Sequence, residues 1–198
     1  MAVEIELKAR VESPETQKEV ISTLAEYAGS FEKDDSYWFP PPGMVIPPGG
    51  PSSSGVRIRR EKFGGPPGEL VRRVWVTYKS RERREGIEVN HEGEFEVSDG
   101  AVFEGFLSGL GFTRGAGKRK RGWAWTFGDI TAELSLVEGL GWFVELEILT
   151  GNDREETVAA ARERLLDFLR KIGVGEDRIE SRYYTEMLRE AGSVPPGV

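Results

Sequence analysis

Short stretches of this chain place an ionisable residue at every second position with an apolar residue between, and the pattern recurs from one end to the other. Val3, Ile5, Leu7 and Ala9 alternate with Glu4, Glu6, Lys8 and Arg10. Val56-Arg57-Ile58-Arg59, the segment Leu70 to Lys79, and Val144, Leu146 and Ile148 around Glu145 and Glu147 repeat it. Successive side chains of a strand point to opposite faces, so each stretch is a strand with one apolar and one charged face. One such strand alone reads as part of an antiparallel sheet with its polar face in water. Here the Thr, Ser and Gln of an ordinary wet face are replaced by carboxylates and cations. The chain also carries amphipathic helices that need an apolar surface to cover. If they pack on the apolar faces, the charged faces must close on one another. The expected fold is α+β: a closed antiparallel β-barrel with a charged interior and helices packed outside.

A charged interior is costly unless each charge is paired, coordinated or solvated, so it implies a ligand of high charge. Carboxylates with clustered Arg and Lys suit a polyphosphate carrying a divalent cation, acids for the metal and bases for the phosphoryl oxygens. The rest of the composition narrows the classes. There is no cysteine, hence neither a disulfide framework nor a thiolate metal site, and the single histidine, His91, reads as a surface residue. Any metal is then held by carboxylates, which favour Mg2+ or Mn2+. A net charge of −7 disfavours nucleic acid as a partner. No apolar run approaches the roughly 18 residues of a membrane span, and no leader pattern is visible, so the expectation is a cytoplasmic protein without a membrane partner.

Residues 1–190 read as a single domain. Ser13-Pro14-Glu15 opens a helix expected to run to about Gly29, with a strand at 31–39. Residues 40–54 hold six of the eleven prolines and read as a long loop, with a second Gly/Pro break at 64–68. Ile87 to Val97 is a strand bearing Glu88, Glu92, Glu94 and Glu96, of which we read Glu94 and Glu96 as structural. A helix follows from Ser98-Asp99-Gly100 to a stop at Gly111. Strands at 118–127, 129–137 and 142–149 precede a long helix from Asn152 to Gly173, a shorter one over 177–190 and a loose tail at 191–198.

Glu4-Ile5-Glu6-Leu7-Lys8 resembles the ExExK signature of the CYTH superfamily, which includes class IV adenylyl cyclases, thiamine triphosphatases and inorganic tripolyphosphatases. Asp35-Ser36-Tyr37, Gly55 to Arg59, Thr77-Tyr78-Lys79 and Gly139 to Glu147 follow in the family's order, and Ile179 to Leu188 resembles its closing helix. The resemblance implies a triphosphate tunnel. Glu4, Glu6, Glu145 and Glu147 would hold one or two metal ions; Lys8, Arg57, Arg59 and Lys79 would grip the triphosphate; and Glu6, Lys8 and Lys79 would be the catalytic set. From the basic run 118–121 we assign Arg119 and Arg121 to the tunnel; a slip of one residue would exchange them for Lys118 and Lys120. Ser135 stands where the family carries an Asp, and Glu133, two residues earlier on the same face, is the substitute we assign to the metal set. The implied substrate is ATP or tripolyphosphate, and the resemblance allows a homodimer. The turn Gly139-Leu140-Gly141-Trp142-Phe143 is closest to the cyclase version, which converts ATP to cyclic AMP and pyrophosphate. Hydrolysis of tripolyphosphate, thiamine triphosphate or a nucleoside triphosphate, and triphosphate binding without turnover, remain open.

Overall fold

The computed structural model describes residues 2–44, 55–65 and 68–192, without the side chains of Ala2, Lys79 and Arg81. Residues 45–54 of the proline-rich segment, 66–67 of the second break and 193–198 of the tail lie outside the described residues. Eight strands form one closed ring: β1 (Ala2–Val11), β2 (Glu26–Phe39), β3 (Val56–Gly65), β4 (Glu69–Arg84), β5 (Ile87–Glu96), β6 (Thr113–Phe127), β7 (Ile130–Val137) and β8 (Gly141–Thr150). Their order around the ring is β1-β5-β4-β3-β2-β6-β7-β8, every pair antiparallel, with β8 returning to β1. The helices are α1 (Pro14–Leu24), α2 (Gly100–Gly109), α3 (Glu155–Lys171) and α4 (Tyr184–Glu190). No helix among the described residues is long and apolar enough to cross a membrane.

The alternation decides where the core lies. Ile5, Leu7 and Ala9 of β1, Leu134 of β7 and Val144, Leu146 and Ile148 of β8 point outward and are buried under Leu165 and Leu169 of α3 and Ile21 of α1. α2 seats Leu107 and Phe103 on Ile58 and Val76. The main hydrophobic core therefore lies between barrel and helices, and the bore is left to the charged residues. α4 is placed differently: Tyr184 and Met187 pack with Val137 and Phe143, whose register neighbours Lys120 and Ser135 face the bore. This brings the head of α4 against one end of the tunnel. The β7–β8 turn there needs positive φ at Gly139 (80°) and Gly141 (96°).

Three elements differ from the sequence expectation: β6 begins at Thr113 rather than 118, its first residues pairing with Trp38 and Phe39 of β2, and two helices differ as well. α1 stops at Leu24 rather than near Gly29, because Glu26 and Tyr27 pair with Thr126 and Trp125 and extend β2. The helix expected over 177–190 is broken. One 3-10 turn covers Glu176–Arg178, and Ile179 then bridges Ala9 while the Glu180 amide donates to the Lys8 carbonyl at 2.9 Å. β5 pairs only with the first half of β1, to Glu6, so the backbone beyond it was open to this segment.

Candidate functional site: the barrel bore

Each bore residue owes its direction to an apolar neighbour on the other face. Ile5 and Leu7 are locked into the core, so Glu4, Glu6 and Lys8 must point inward; Leu146 does the same for Glu145 and Glu147. The bore has a volume of about 490 Å³ and is lined almost entirely by charged and hydroxyl side chains. Its two walls differ in sign. Lys33 on β2, Arg57 and Arg59 on β3, and Lys118 and Lys120 on β6 share one side, and these three strands are contiguous in the ring. Glu4 and Glu6 on β1, Glu88, Glu92 and Glu94 on β5, and Glu147 on β8 form the other side, also contiguous. In this ring of eight, β2 lies diametrically opposite β1.

Several cations and acids are already paired across and along the walls. Lys120 Nζ donates to Glu133 Oε2 at 2.8 Å and to both Glu145 oxygens at 2.9 Å, and Ser135 Oγ donates to Glu145 Oε1 at 2.9 Å. Lys33 is bonded to Glu133 and lies 3.5 Å from Glu61. Asp35 is fully buried, receives Arg59 Nε at 2.7 Å and Nη2 at 3.0 Å, and has Lys118 Nζ at 3.3 Å. Lys8 pairs with Glu88. Arg57 Nη2 donates to Thr77 Oγ1 at 2.9 Å, and Thr77 donates to Glu94 at 2.6 Å. Asn90 Nδ2 donates to Glu4 Oε1 at 2.8 Å. The Tyr184 ring faces Lys8 Nζ at 5.4 Å and Lys118 Nζ at 4.8 Å.

Burial and these partners set the ionisation. Burial alone would raise Glu133, but Lys120 and Lys33 overcome it and hold the carboxylate well below its usual range. Asp35 is held down against burial by Arg59 and Lys118. Lys120 is pushed up against burial by Glu133 and Glu145. Glu6 goes the other way: burial first, then repulsion from Glu88, Glu4 and Glu145, raise it well above an ordinary carboxylate. A cation placed beside these carboxylates would favour the ionised form of Glu6. Among the described residues no three acidic or histidine side chains converge into a ready-made cage.

Of the residues expected from sequence, Glu4, Glu6, Lys8, Arg57, Arg59, Glu133, Glu145 and Glu147 line the bore. The Lys79 backbone pairs with Glu92, and its side chain lies outside the described atoms. Arg119 and Arg121 are corrected: both point outward, Arg119 to Asp34 at 3.4 Å with a side chain 68% exposed, while Lys118 and Lys120 face the bore at 8% and 6% exposure. Glu133 does lie on the same face as Ser135, held by two lysines. Lys33, Asp35, Glu88 and Tyr184 were not assigned from sequence, and Glu94, read as structural, belongs to the lining. His91 is partly exposed, 3.3 Å from Asp153.

A closed antiparallel ring with a charged bore and its core outside defines the tunnel class of β-barrel. The chain belongs to the CYTH family, whose domain matches residues 2–184. It is similar to the PH1819 protein of Pyrococcus horikoshii OT3, with 27% identity, TM-score 0.78 and coverage of 94% of this chain and 98% of that one. A putative adenylate cyclase of Vibrio parahaemolyticus shares the fold at 19% identity and TM-score 0.72, covering 94% and 97% of the two chains. So does HpAC1 of Hippeastrum, described as a putative adenylyl cyclase with a dominant triphosphatase activity, at 16% identity and TM-score 0.59, covering 99% and 98%. No curated protein matches the chain.

Proposed function

We propose that the bore binds a triphosphate together with Mg2+ or Mn2+ and is the active site of a phosphorus–oxygen bond-cleaving enzyme, in the first reading an ATP cyclase. The observation that carries this is the opposition of the walls across the ring, cations on β2, β3 and β6 against carboxylates on β1, β5 and β8. Arg57, Arg59, Lys118, Lys120 and Lys33 bind the phosphoryl oxygens, exchanging part of their carboxylate pairing for phosphate. Lys8, on the opposite strand, reaches the chain from the other side. Glu4, Glu6 and Glu147 would supply the carboxylates, one or two to an ion, that hold the metal, while Glu133 and Glu145 orient Lys120. A bound divalent ion supplies charge neutralisation at the phosphates.

In the cyclase reading the ribose 3′ hydroxyl attacks the α-phosphorus and gives its proton to solvent water, the bond from the α-phosphorus to the bridging oxygen breaks, and pyrophosphate leaves; the residues above position the chain and stabilise its charge. Hydrolysis of the terminal phosphoryl group is the second reading. Phe143 of the cyclase-like turn is fully buried and packs on Tyr184 at 5.1 Å, so that motif supports the wall more than it selects a base. Purified protein is incubated with ATP, and separately with tripolyphosphate, plus Mg2+ or Mn2+, with Glu6→Ala as control. Cyclic AMP and pyrophosphate, lost in the variant, support the cyclase. Orthophosphate lost in the variant moves the protein to the triphosphatases. No product from either substrate overturns the enzyme reading and leaves binding without turnover.

A further inference from the structure

Tyr184 is the first residue of α4 and the point at which that helix meets the bore. Its ring is fixed in place. Phe143 packs edge-on at 5.1 Å, Val137 and Met187 belong to the same cluster, and the residue is buried. Behind it, the bridge from Ile179 to Ala9 and the bond from the Glu180 amide to the Lys8 carbonyl hold the segment against β1. A ring held in this way cannot swing its hydroxyl toward a distant partner. That hydroxyl has none nearby. Among the described residues Tyr184 Oη is shut off from water and makes no hydrogen bond. Glu145, the carboxylate that acts on it most strongly, is already taken by Lys120 at both oxygens and by Ser135. Buried tyrosine hydroxyls ordinarily find a partner, and one left without costs stability, so its retention points to a partner that arrives from outside.

Arg57 Nε, on another residue of the bore, is in the same condition. Both groups can donate, the phenol being protonated at neutral pH and the guanidinium having no acceptor. Unsatisfied donors on a cavity wall suit a ligand rich in acceptor oxygens, as a phosphate chain is. The cations nearest the ring indicate where such a chain would pass. Lys8 Nζ from β1 and Lys118 Nζ from β6 lie 5.4 and 4.8 Å from the centre of the Tyr184 ring. Each is held by an acid, Lys8 by Glu88 and Lys118 by Asp35 at 3.3 Å. A phosphoryl group that draws the two lysines off those acids comes to lie beside the ring and uncovers the phenol. We propose that Tyr184 is a further substrate-binding residue, its Oη donating to a phosphoryl oxygen of the bound triphosphate. The inference rests on the function proposed for the bore and adds to it a contact made by α4 rather than by a strand.

Tyr184→Phe removes the oxygen and keeps the ring, with its packing on Phe143 and its contacts to both lysines. A structural tyrosine and a ligand-binding one then predict opposite signs. Without ligand the variant should melt about 2–5 °C above the parent, because a buried unsatisfied group is gone. Its Kd for a tripolyphosphate analogue with N–H bridges, which resists hydrolysis, is measured by calorimetric titration with Mg2+ or Mn2+. That Kd should rise at least about tenfold, the usual worth of one hydrogen bond to a charged group. A variant that binds the analogue as tightly as the parent overturns the proposal. So does one that melts lower than the parent without ligand, since the hydroxyl would then have a protein partner in solution, Glu145 first among them. A parent chain that fails to bind the analogue with either metal is a different failure: it overturns the reading of the bore itself, and this contact with it.

Discussion

Lys120 and Arg121 are neighbours in sequence and opposites in consequence. Lys120 is the cation between Glu133 and Glu145, all three side chains being largely removed from water. Lys120→Met leaves the acids with one counter-charge fewer and should lower stability by about 3–5 kcal/mol, the usual cost of breaking a buried pair from one side. It should also cut kcat/KM for the triphosphate substrate at least about 100-fold, a loss of roughly 2.7 kcal/mol of transition-state stabilisation. Arg121→Ala should change stability by less than about 0.5 kcal/mol and activity hardly at all. Thermal melts and steady-state kinetics on the two variants decide it: similar losses in both would mean that β6 carries the other register in solution. The run Lys118-Arg119-Lys120-Arg121 hides its register because both parities are charged. The usable signal lay four residues on, in Trp125, which is fully buried in the outer core and fixes the odd positions as outward. Lys33 and Asp35 were hidden likewise, since Glu32-Lys33-Asp34-Asp35 charges both faces of β2.

The link between Ile179 and Arg182 is the element that ties α4 to the barrel, and Glu180 is its clamp. The carboxylate accepts from Arg182 through both its Nε, at 2.8 Å, and its Nη2, at 2.6 Å, and from Arg10 at 3.0 Å. These bonds, Arg182 foremost, lower its pKa to about 2. An acid held below its unfolded value adds stability that is full above pH of about 4.3 and is lost as pH falls through about 2. Both arginines are nearly half exposed, so solvent screening discounts the contribution to about 1–2 kcal/mol. Glu180→Gln should therefore melt lower than the parent at pH 7, with the difference shrinking toward zero by about pH 2. A difference that stayed constant with pH would mean that the side chain acts by packing alone. The strands of the ring were legible because each alternates against a core, as in β1 and β8. The clamp was not, because Ile179 and Glu180 are drawn out of a helix by the unpaired backbone of Lys8 and Ala9, a partner about 170 residues away in sequence. The early end of α1 has the same cause, pairing with distant β6.

At the scale of the molecule the barrel is turned inside out: apolar faces outward under α1, α2 and α3, charged faces inward. Glu6, raised first by burial and then by Glu88, Glu4 and Glu145, is a carboxylate whose ionised form a cation beside it would favour. The basic wall is occupied in part with carboxylates that a phosphate would displace. The two walls are complementary, so metal and triphosphate should each favour the binding of the other. At about 100 times its dissociation constant a ligand adds about 2.7 kcal/mol, which for a chain of this size raises Tm by about 5–10 °C. Tripolyphosphate with Mg2+ or Mn2+ should reach that shift, and the pair together should exceed the sum of the metal alone and tripolyphosphate alone at the same ionic strength. Glu6→Gln should remove the excess while leaving part of the anion shift, because it spares the wall on β2, β3 and β6. If tripolyphosphate gave its full shift without metal, the acidic wall would have no part in holding the ligand. If no combination moved Tm, the opposed charges would be pairing one another for stability alone, and the bore would not be a triphosphate site.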